Sequence, residues 1–227
     1  MTSITQLIDR WNLDEGKPYK GSLINMDAHD AGEGIGCMCA QGQVLHLVGG
    51  WTPERLQRAA QEDADKETAK LLNISRAHAV LLRIVNDKTD GAPAIVFTDP
   101  GAVLGNQWSK LLDFWCHLDA MTSDQWAAAR AAAGAASWYA ARTAAALVRT
   151  AATAATSWDA AAASWKASEG AAGEGARAAA GASSEIQGAV LLLQNGKSLF
   201  FLPCFGFLSL EDIPPRPENY GLIGGTQ

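Results

Sequence analysis

The sequence predicts a mainly helical α+β protein, with a helical body, an alanine-rich helical repeat and a small antiparallel sheet. Apolar residues recur at helical spacing through most of residues 1–122. Alanine, the strongest helix former, supplies 29 of the 57 residues in 126–182. Two apolar runs then flank Asn195-Gly196, a dipeptide that suits the tight turn of a β-hairpin.

Helices are predicted in the first part of the chain from apolar spacing and local start signals. Thr52-Pro53 is one such start, because threonine can cap free amides and proline needs no donor in the first turn. The predicted helices cover residues 3–11, 34–48, 52–72, 75–86 and 99–118. Gly34, Gly36 and Gly42 weaken the second of these, unless the helix packs closely against a neighbour.

A short strand is predicted over Ala94–Thr98, where apolar residues lie between turn signals. Because an isolated hairpin is only marginally stable, either this strand joins the hairpin formed by Ala189–Gln194 and Lys197–Leu202 in one sheet or helices cover the hairpin. The chain then divides into three regions. Residues 1–122 form the helical N-terminal region, 123–185 the alanine-rich repeat, and 186–227 the hairpin with an irregular tail packed on the N-terminal region.

The alanine-rich segment is a tetrad repeat, in which one bulky, charged or glycine residue precedes three mostly small ones. At 3.6 residues per turn, a four-residue step advances about 400°, so each tetrad drifts by about 40° around the helix. No single packing face can therefore cover the whole row. The pattern predicts neighbours on several sides, supplied either by a homo-oligomer or by a stack of shorter helices.

Composition excludes several broad classes of function. The net charge of -6 argues against a nucleic-acid binder, which normally carries a basic stripe for phosphate contacts. Residues 34–53 are uncharged but contain glutamines, a histidine and five glycines, so a buried helix is favoured over a membrane span. Four cysteines in 227 residues are too few for a disulfide scaffold. A cytoplasmic protein without a cofactor is predicted.

The densest set of chemically active side chains lies between residues 27 and 46. Imidazole, thiolate and carboxylate groups can bind zinc, and Cys37 or Cys39 can act as a nucleophile when His46 or His117 meets it in space. The spacing is not that of a recognised metal motif, so no metal site is predicted and buried thiols are the favoured interpretation. The low-probability ligand candidates are Asp27, His29, Cys37, Cys39 and His46. No nucleotide-binding, serine-hydrolase or metalloprotease motif occurs in the sequence.

The tetrads led by Trp126, Arg130, Gly134 and Trp138, together with Ser157-Trp158-Asp159-Ala160-Ala161, resemble alanine-rich tracts of bacterial and phage proteins. Some of those proteins are loosely grouped with immunity proteins. The resemblance covers about a quarter of the chain and implies no catalytic residue.

We therefore expect a non-enzymatic protein that binds a protein partner or assembles with itself, such as a toxin inhibitor or a phage-borne interaction factor. Tryptophan and arginine are enriched among the residues that dominate binding energy. The predicted partner-binding residues are Arg130, Trp138, Arg142, Arg149, Trp158 and Trp165. Two alternatives remain open: a small metal- or cysteine-dependent hydrolase that uses residues 27–46, and a structural assembly subunit.

Overall fold

The computed structural model describes residues 4–13, 16–88, 93–129, 131 and 202–221. Helices make up most of these residues, which confirms the mainly helical class. The α-helices are α1 (Ile4–Asn12), α2 (Met26–Asp30), α3 (Ala40–Leu47), α4 (Pro53–Arg58), α5 (Gln61–Leu72), α6 (Arg76–Lys88), α7 (Ile95–Thr98), α8 (Pro100–Leu104) and α9 (Trp108–Ala120). Short 3₁₀ helices cover Gly34–Cys37, Leu202–Phe205 and Leu210–Asp212. Residues 123–129, where the tetrad repeat begins, are also helical.

The helix predicted over residues 34–48 is two elements, a 3₁₀ turn and α3. Met38 and Cys39 between them are extended, because a neighbouring segment binds their backbone. Cys39 N donates to Leu23 O at 3.2 Å, and Met38 O accepts from Tyr19 N at 2.8 Å. These contacts come from residues distant in sequence, so helical periodicity could not reveal the break.

Two other predicted helices are also interrupted. The helix predicted over residues 52–72 divides into α4 and α5 at Ala59 and Ala60, which both have extended backbone. The predicted start is confirmed, since Thr52 Oγ1 accepts from Arg55 N at 3.3 Å. The helix predicted over residues 99–118 divides into α8 and α9 near Gly105, whose φ of 82° a side chain would disfavour.

The strand predicted over Ala94–Thr98 is wrong. This run forms the single turn α7, in which Phe97 N and Thr98 N both donate to Ala94 O. A short apolar run has no periodicity that separates a buried strand from a buried helical turn. The hairpin over 189–202 lies almost entirely outside the described residues. In the ranges that the structure covers, β pairing is limited to the isolated bridge between Ile24 and Met38, so the predicted sheet has no support there.

The chain divides into two compact units. The first comprises Met1–Trp108 with Arg216–Gln227, and the second comprises Ser109–Pro215. In the first unit α3, α5 and α6 pack against one another, and residues 40–45 of α3 are all buried. In the second, Phe205 makes edge-to-face contacts with Phe114 and Trp126. The three-region division inferred from the sequence stays a prediction.

Close packing explains the glycine inside α3. A Cβ atom at Gly42 would lie 2.0 Å from the backbone oxygen of Leu23, far inside van der Waals contact. Only a residue without a side chain lets α3 approach this segment so closely. The close packing expected at these glycines is confirmed at Gly42, whereas a Cβ atom at Gly34 or Gly36 would have no neighbour nearer than 3.9 Å. None of the described helices is both long and apolar enough to cross a bilayer.

Candidate functional site

The predicted partner-binding residues of the tetrad repeat, Arg130, Trp138, Arg142, Arg149, Trp158 and Trp165, lie outside the described residues. Helical residues 123–129 lead into this segment, and Ala129 is buried. The role of the six residues stays a prediction.

The candidate ligands between residues 27 and 46 lie on three consecutive elements. Asp27 and His29 belong to α2, which begins where Asn25 Oδ1 accepts from Ala28 N at 3.2 Å. Cys37 ends the 3₁₀ turn, and its Sγ lies 3.9 Å from His29 Nδ1. His29 and Cys37 are thus the pair that the fold brings together.

The surroundings of Cys37 favour the protonated thiol. Its Sγ–H donates to Gly34 O at 2.9 Å, and the side chain is fully buried. Burial raises the pKa of the Cys37 thiol, and the nearby carboxylate of Glu33 raises it further. The thiolate is the species that attacks a carbonyl or binds a metal, so this environment opposes both reactions.

The other two candidates have structural contacts. Cys39 is the N-cap of α3, where its Sγ accepts from Gly42 N at 3.4 Å, and burial raises its pKa to about 11. His46 Nδ1 lies 2.6 Å from Trp51 O. A carbonyl oxygen can only accept, so Nδ1 carries the proton and ties the end of α3 to the next segment. Within the described ranges, no three His, Cys, Asp or Glu side chains are placed to hold a metal ion.

A buried polar cluster joins α3, α5 and α6. Gln41 Nε2 donates to Asp65 Oδ1 at 2.7 Å and to Ala79 O at 3.0 Å. Arg83 forms an ion pair with Asp65 at 3.3 Å, and Gln61 Nε2 donates to Gln41 Oε1 at 2.8 Å. These side chains thus provide hydrogen-bond and ion-pair partners for one another inside the first unit. This cluster was not predicted from the sequence, because its members come from three different helices.

A second set of contacts fastens the segment near residue 220 to the first unit. His78 is fully buried, and its Nε2 lies 3.0 Å from Val96 O, so Nε2 carries the proton. The Tyr220 hydroxyl therefore donates to His78 Nδ1 at 2.9 Å, while it accepts from Ser75 N at 3.2 Å. Burial and, to a smaller extent, the positive charge of Arg216 lower the pKa of His78 to about 4. This histidine is neutral and structural.

An open groove of about 690 Å³ is lined by Trp51, α4 and the first half of α5. We call it the Trp51–Arg55 groove, because the Arg55 guanidinium lies 3.8 Å from the centre of the Trp51 ring. Six charged side chains line it: Glu54, Arg55, Arg58, Asp63, Lys66 and Glu67. This surface was not predicted from the sequence, although a tryptophan four residues before an arginine is a signal that could have indicated it.

No protein-family model, curated protein or solved structure matches this chain. The resemblance of the tetrads to bacterial and phage proteins stays a prediction. Inference about function therefore depends on the contacts described above.

Proposed function

We propose that this protein is a non-enzymatic interaction protein that binds a protein partner or a second copy of itself. The observation that carries the proposal is the Trp51–Arg55 groove. It presents an exposed arginine, Arg55, stacked on the buried indole of Trp51, and arginine is enriched at binding hot spots.

The polar chemistry of the first unit supports a binding role over a catalytic one. Gln41, Asp65 and Arg83 form hydrogen bonds with one another across three helices. Cys37 and Cys39 are buried, and burial raises the pKa of both thiols. These groups stabilise the helices, whereas five of the six charged side chains at the groove are exposed.

The tetrad repeat is the second surface in the proposal, with Arg130, Trp138, Arg142, Arg149, Trp158 and Trp165 as its contact residues. A toxin inhibitor or a phage-borne interaction factor would use such a surface. We place the protein in the cytoplasm, a setting supported by Cys37 and Cys39, two buried thiols that form no disulfide with each other.

Light scattering at micromolar protein concentrations tests whether the protein assembles with itself. We expect a mass above the 23.9 kDa of one chain, which falls when Trp138 and Trp158 are both replaced by alanine. The matched control is Arg10→Ala, on the exposed side of α1. A monomer at all concentrations rejects self-assembly and also rejects the alternative of a structural assembly subunit.

Cross-linking in cells tests whether the protein binds a different protein. Proteins that cross-link to the wild type are expected to be lost with the tryptophan double variant or with Arg55→Ala, and retained with Arg10→Ala. The proposal as a whole is contradicted when the protein is a monomer and every variant cross-links to the same proteins as the wild type.

A cysteine-dependent hydrolase is the second candidate, favoured by the 3.9 Å approach of Cys37 Sγ to His29 Nδ1. In that case the purified protein hydrolyses activated esters, and Cys37→Ser abolishes the activity. Equal background rates for wild type and variant reject the hydrolase. Stoichiometric zinc lost with the same substitution would instead indicate the metal-dependent form.

A further inference from the structure

We propose that Asn73, Ser75 and His78 form a binding site for a partner's protein segment in which a turn ends in tyrosine followed by glycine. Residues 216–221, which we call the strap, occupy this site as an intramolecular competitor. The inference rests on the proposed interaction function and adds to it a site that shares no lining residue with the Trp51–Arg55 groove. Its basis is the way in which the first unit contacts the strap.

The site recognises a phenol hydroxyl through buried polar groups. The Tyr220 hydroxyl donates to His78 Nδ1 at 2.9 Å and accepts from Ser75 N at 3.2 Å, and Ser75 Oγ lies at the same 3.2 Å. Ser75 and His78 are each 3% exposed. A segment with phenylalanine at this position would leave these groups without their partner, so the site discriminates in favour of tyrosine.

Asn73 binds the backbone on both sides of the tyrosine. Its Nδ2 donates to Asn219 O, and its own carbonyl oxygen accepts from Gly221 N at 2.7 Å. Asn73 ends α5 with a φ of 48°, in the left-handed region. These two backbone contacts fix the position of the bound segment, so the tyrosine side chain is directed to Ser75 and His78.

The shape of the strap defines which segments fit. Pro217 O accepts from Tyr220 N at 3.0 Å, which closes a turn before the tyrosine. Gly221 has a φ of 70°, which residues with a side chain rarely adopt, so glycine is required after the tyrosine. At the start of the strap, the Arg216 guanidinium lies 5.6 Å from the centres of the Tyr220 and Trp108 rings.

The strap is attached at few points, which allows a segment from another protein to replace it. Of its six residues only Arg216 and Tyr220 are partly buried, and the other four are exposed. The strap contains no helix or strand. A segment with so little buried apolar surface opens at a low cost in free energy. Because the strap is tethered, it lowers the affinity for a free segment of the same chemistry.

Fluorescence polarisation tests the inference on the full-length protein. The probe is a labelled peptide with the sequence of residues 214–221, and the matched probe has phenylalanine in place of its tyrosine. Tyr220→Ala leaves the site without its intramolecular tyrosine, so we expect the probe to bind this variant at least about tenfold more tightly than the wild type. The phenylalanine probe is expected to bind the same variant at least about tenfold more weakly than the tyrosine probe.

A second substitution in the Tyr220→Ala protein locates the site. Asn73→Gly keeps the positive φ but removes the side-chain amide that binds Asn219 O, and it is expected to weaken binding by about threefold to tenfold. The matched control is Asn12→Gly at the exposed end of α1, which is expected to leave the affinity within about twofold. Circular dichroism checks that the helices are retained.

Equal binding of the two probes to Tyr220→Ala overturns the inference, as does equal loss with Asn73→Gly and Asn12→Gly. If Tyr220→Ala does not fold alone, recovery of its helical circular dichroism on refolding with the tyrosine probe, and not with the phenylalanine probe, supports the inference. Recovery with neither probe overturns it.

Self-association of the wild type that is lost with Tyr220→Ala would show that a second copy supplies the segment, and would overturn the assignment to a partner. The proposed function fails separately, when light scattering and cross-linking reveal neither self-association nor a surface-dependent partner.

Discussion

Replacing Tyr220 by phenylalanine removes one hydroxyl that the buried surroundings of His78 require. The ring and its stacking on the imidazole, with centroids 5.8 Å apart, are retained. What is lost is the hydrogen bond to His78 Nδ1 and the acceptor of Ser75 N. Both His78 and Ser75 are at most 3% exposed, so water cannot replace the missing partner without a rearrangement.

The expected cost follows from these two orphaned groups. A buried donor or acceptor left without a partner destabilises a protein by about 1–3 kcal/mol. The Ser75 contacts are long, at 3.2 Å, so they add less than the 2.9 Å bond to the imidazole. We expect Tyr220→Phe to lower the free energy of unfolding by about 2–3 kcal/mol.

Urea denaturation followed by circular dichroism measures this change. The matched control is Tyr19→Phe. Tyr19 is 37% exposed, and its hydrogen bonds with Met38 and Asn86 use its backbone rather than its hydroxyl. The control is expected to change stability by less than about 0.5 kcal/mol. If both variants unfold at the urea concentration of the wild type, the Tyr220 hydroxyl contributes nothing and the tautomer assigned to His78 is wrong.

Three further predictions concern acid, packing and thiol reactivity. The pKa of His78 is about 4 in the folded protein, below its ordinary 6.5, so the unfolded chain takes up a proton first as the pH falls. The contribution of His78 to stability is therefore fully present above about pH 6.5 and falls by up to about 3 kcal/mol as the pH drops towards 4. Urea midpoints that stay constant over this pH range would contradict the neutral, buried state of His78. Gly42→Ala places a Cβ atom 2.0 Å from a backbone oxygen and is expected to lower the free energy of unfolding by about 3 kcal/mol or more. In the control Gly36→Ala the nearest atom would be 3.9 Å away, and the expected loss is less than about 1 kcal/mol. Equal thermal midpoints for the two variants would refute the close packing at Gly42. Iodoacetamide is expected to alkylate Cys37 of the folded protein at least about tenfold more slowly than the partly exposed Cys116. Peptide mass spectrometry measures both rates. The reverse order would indicate that Cys37 carries an accessible thiolate.

The predictable parts of the fold are those that depend on local chemistry. The start of α4 follows from Thr52-Pro53, since the cap and the proline act within one turn. The interruptions at Cys39 and Gly105 were not predicted. At Cys39 the cause is a backbone contact with Leu23, a residue that no periodicity within α3 can indicate.

The candidate site was predictable to a smaller extent. Residues 27–46 were grouped as one candidate region, but the histidines expected beside a cysteine were His46 and His117, whereas the fold brings His29 to within 3.9 Å of Cys37. The same grouping could not show that Cys39 and His46 serve as a cap and an anchor, since those roles need coordinates for Gly42 and Trp51. The Trp51–Arg55 groove depends on how α4 approaches α5, a tertiary property.

The Tyr220–His78 contact also constrains the order in which the first unit can be completed during synthesis. The two residues lie 142 positions apart, and all of Ser109–Pro215 must be translated between them. Until residue 220 leaves the ribosome, the imidazole of His78 has no hydroxyl beside it. The helices of the first unit can form early, but this part of their core closes only after the second unit has been made.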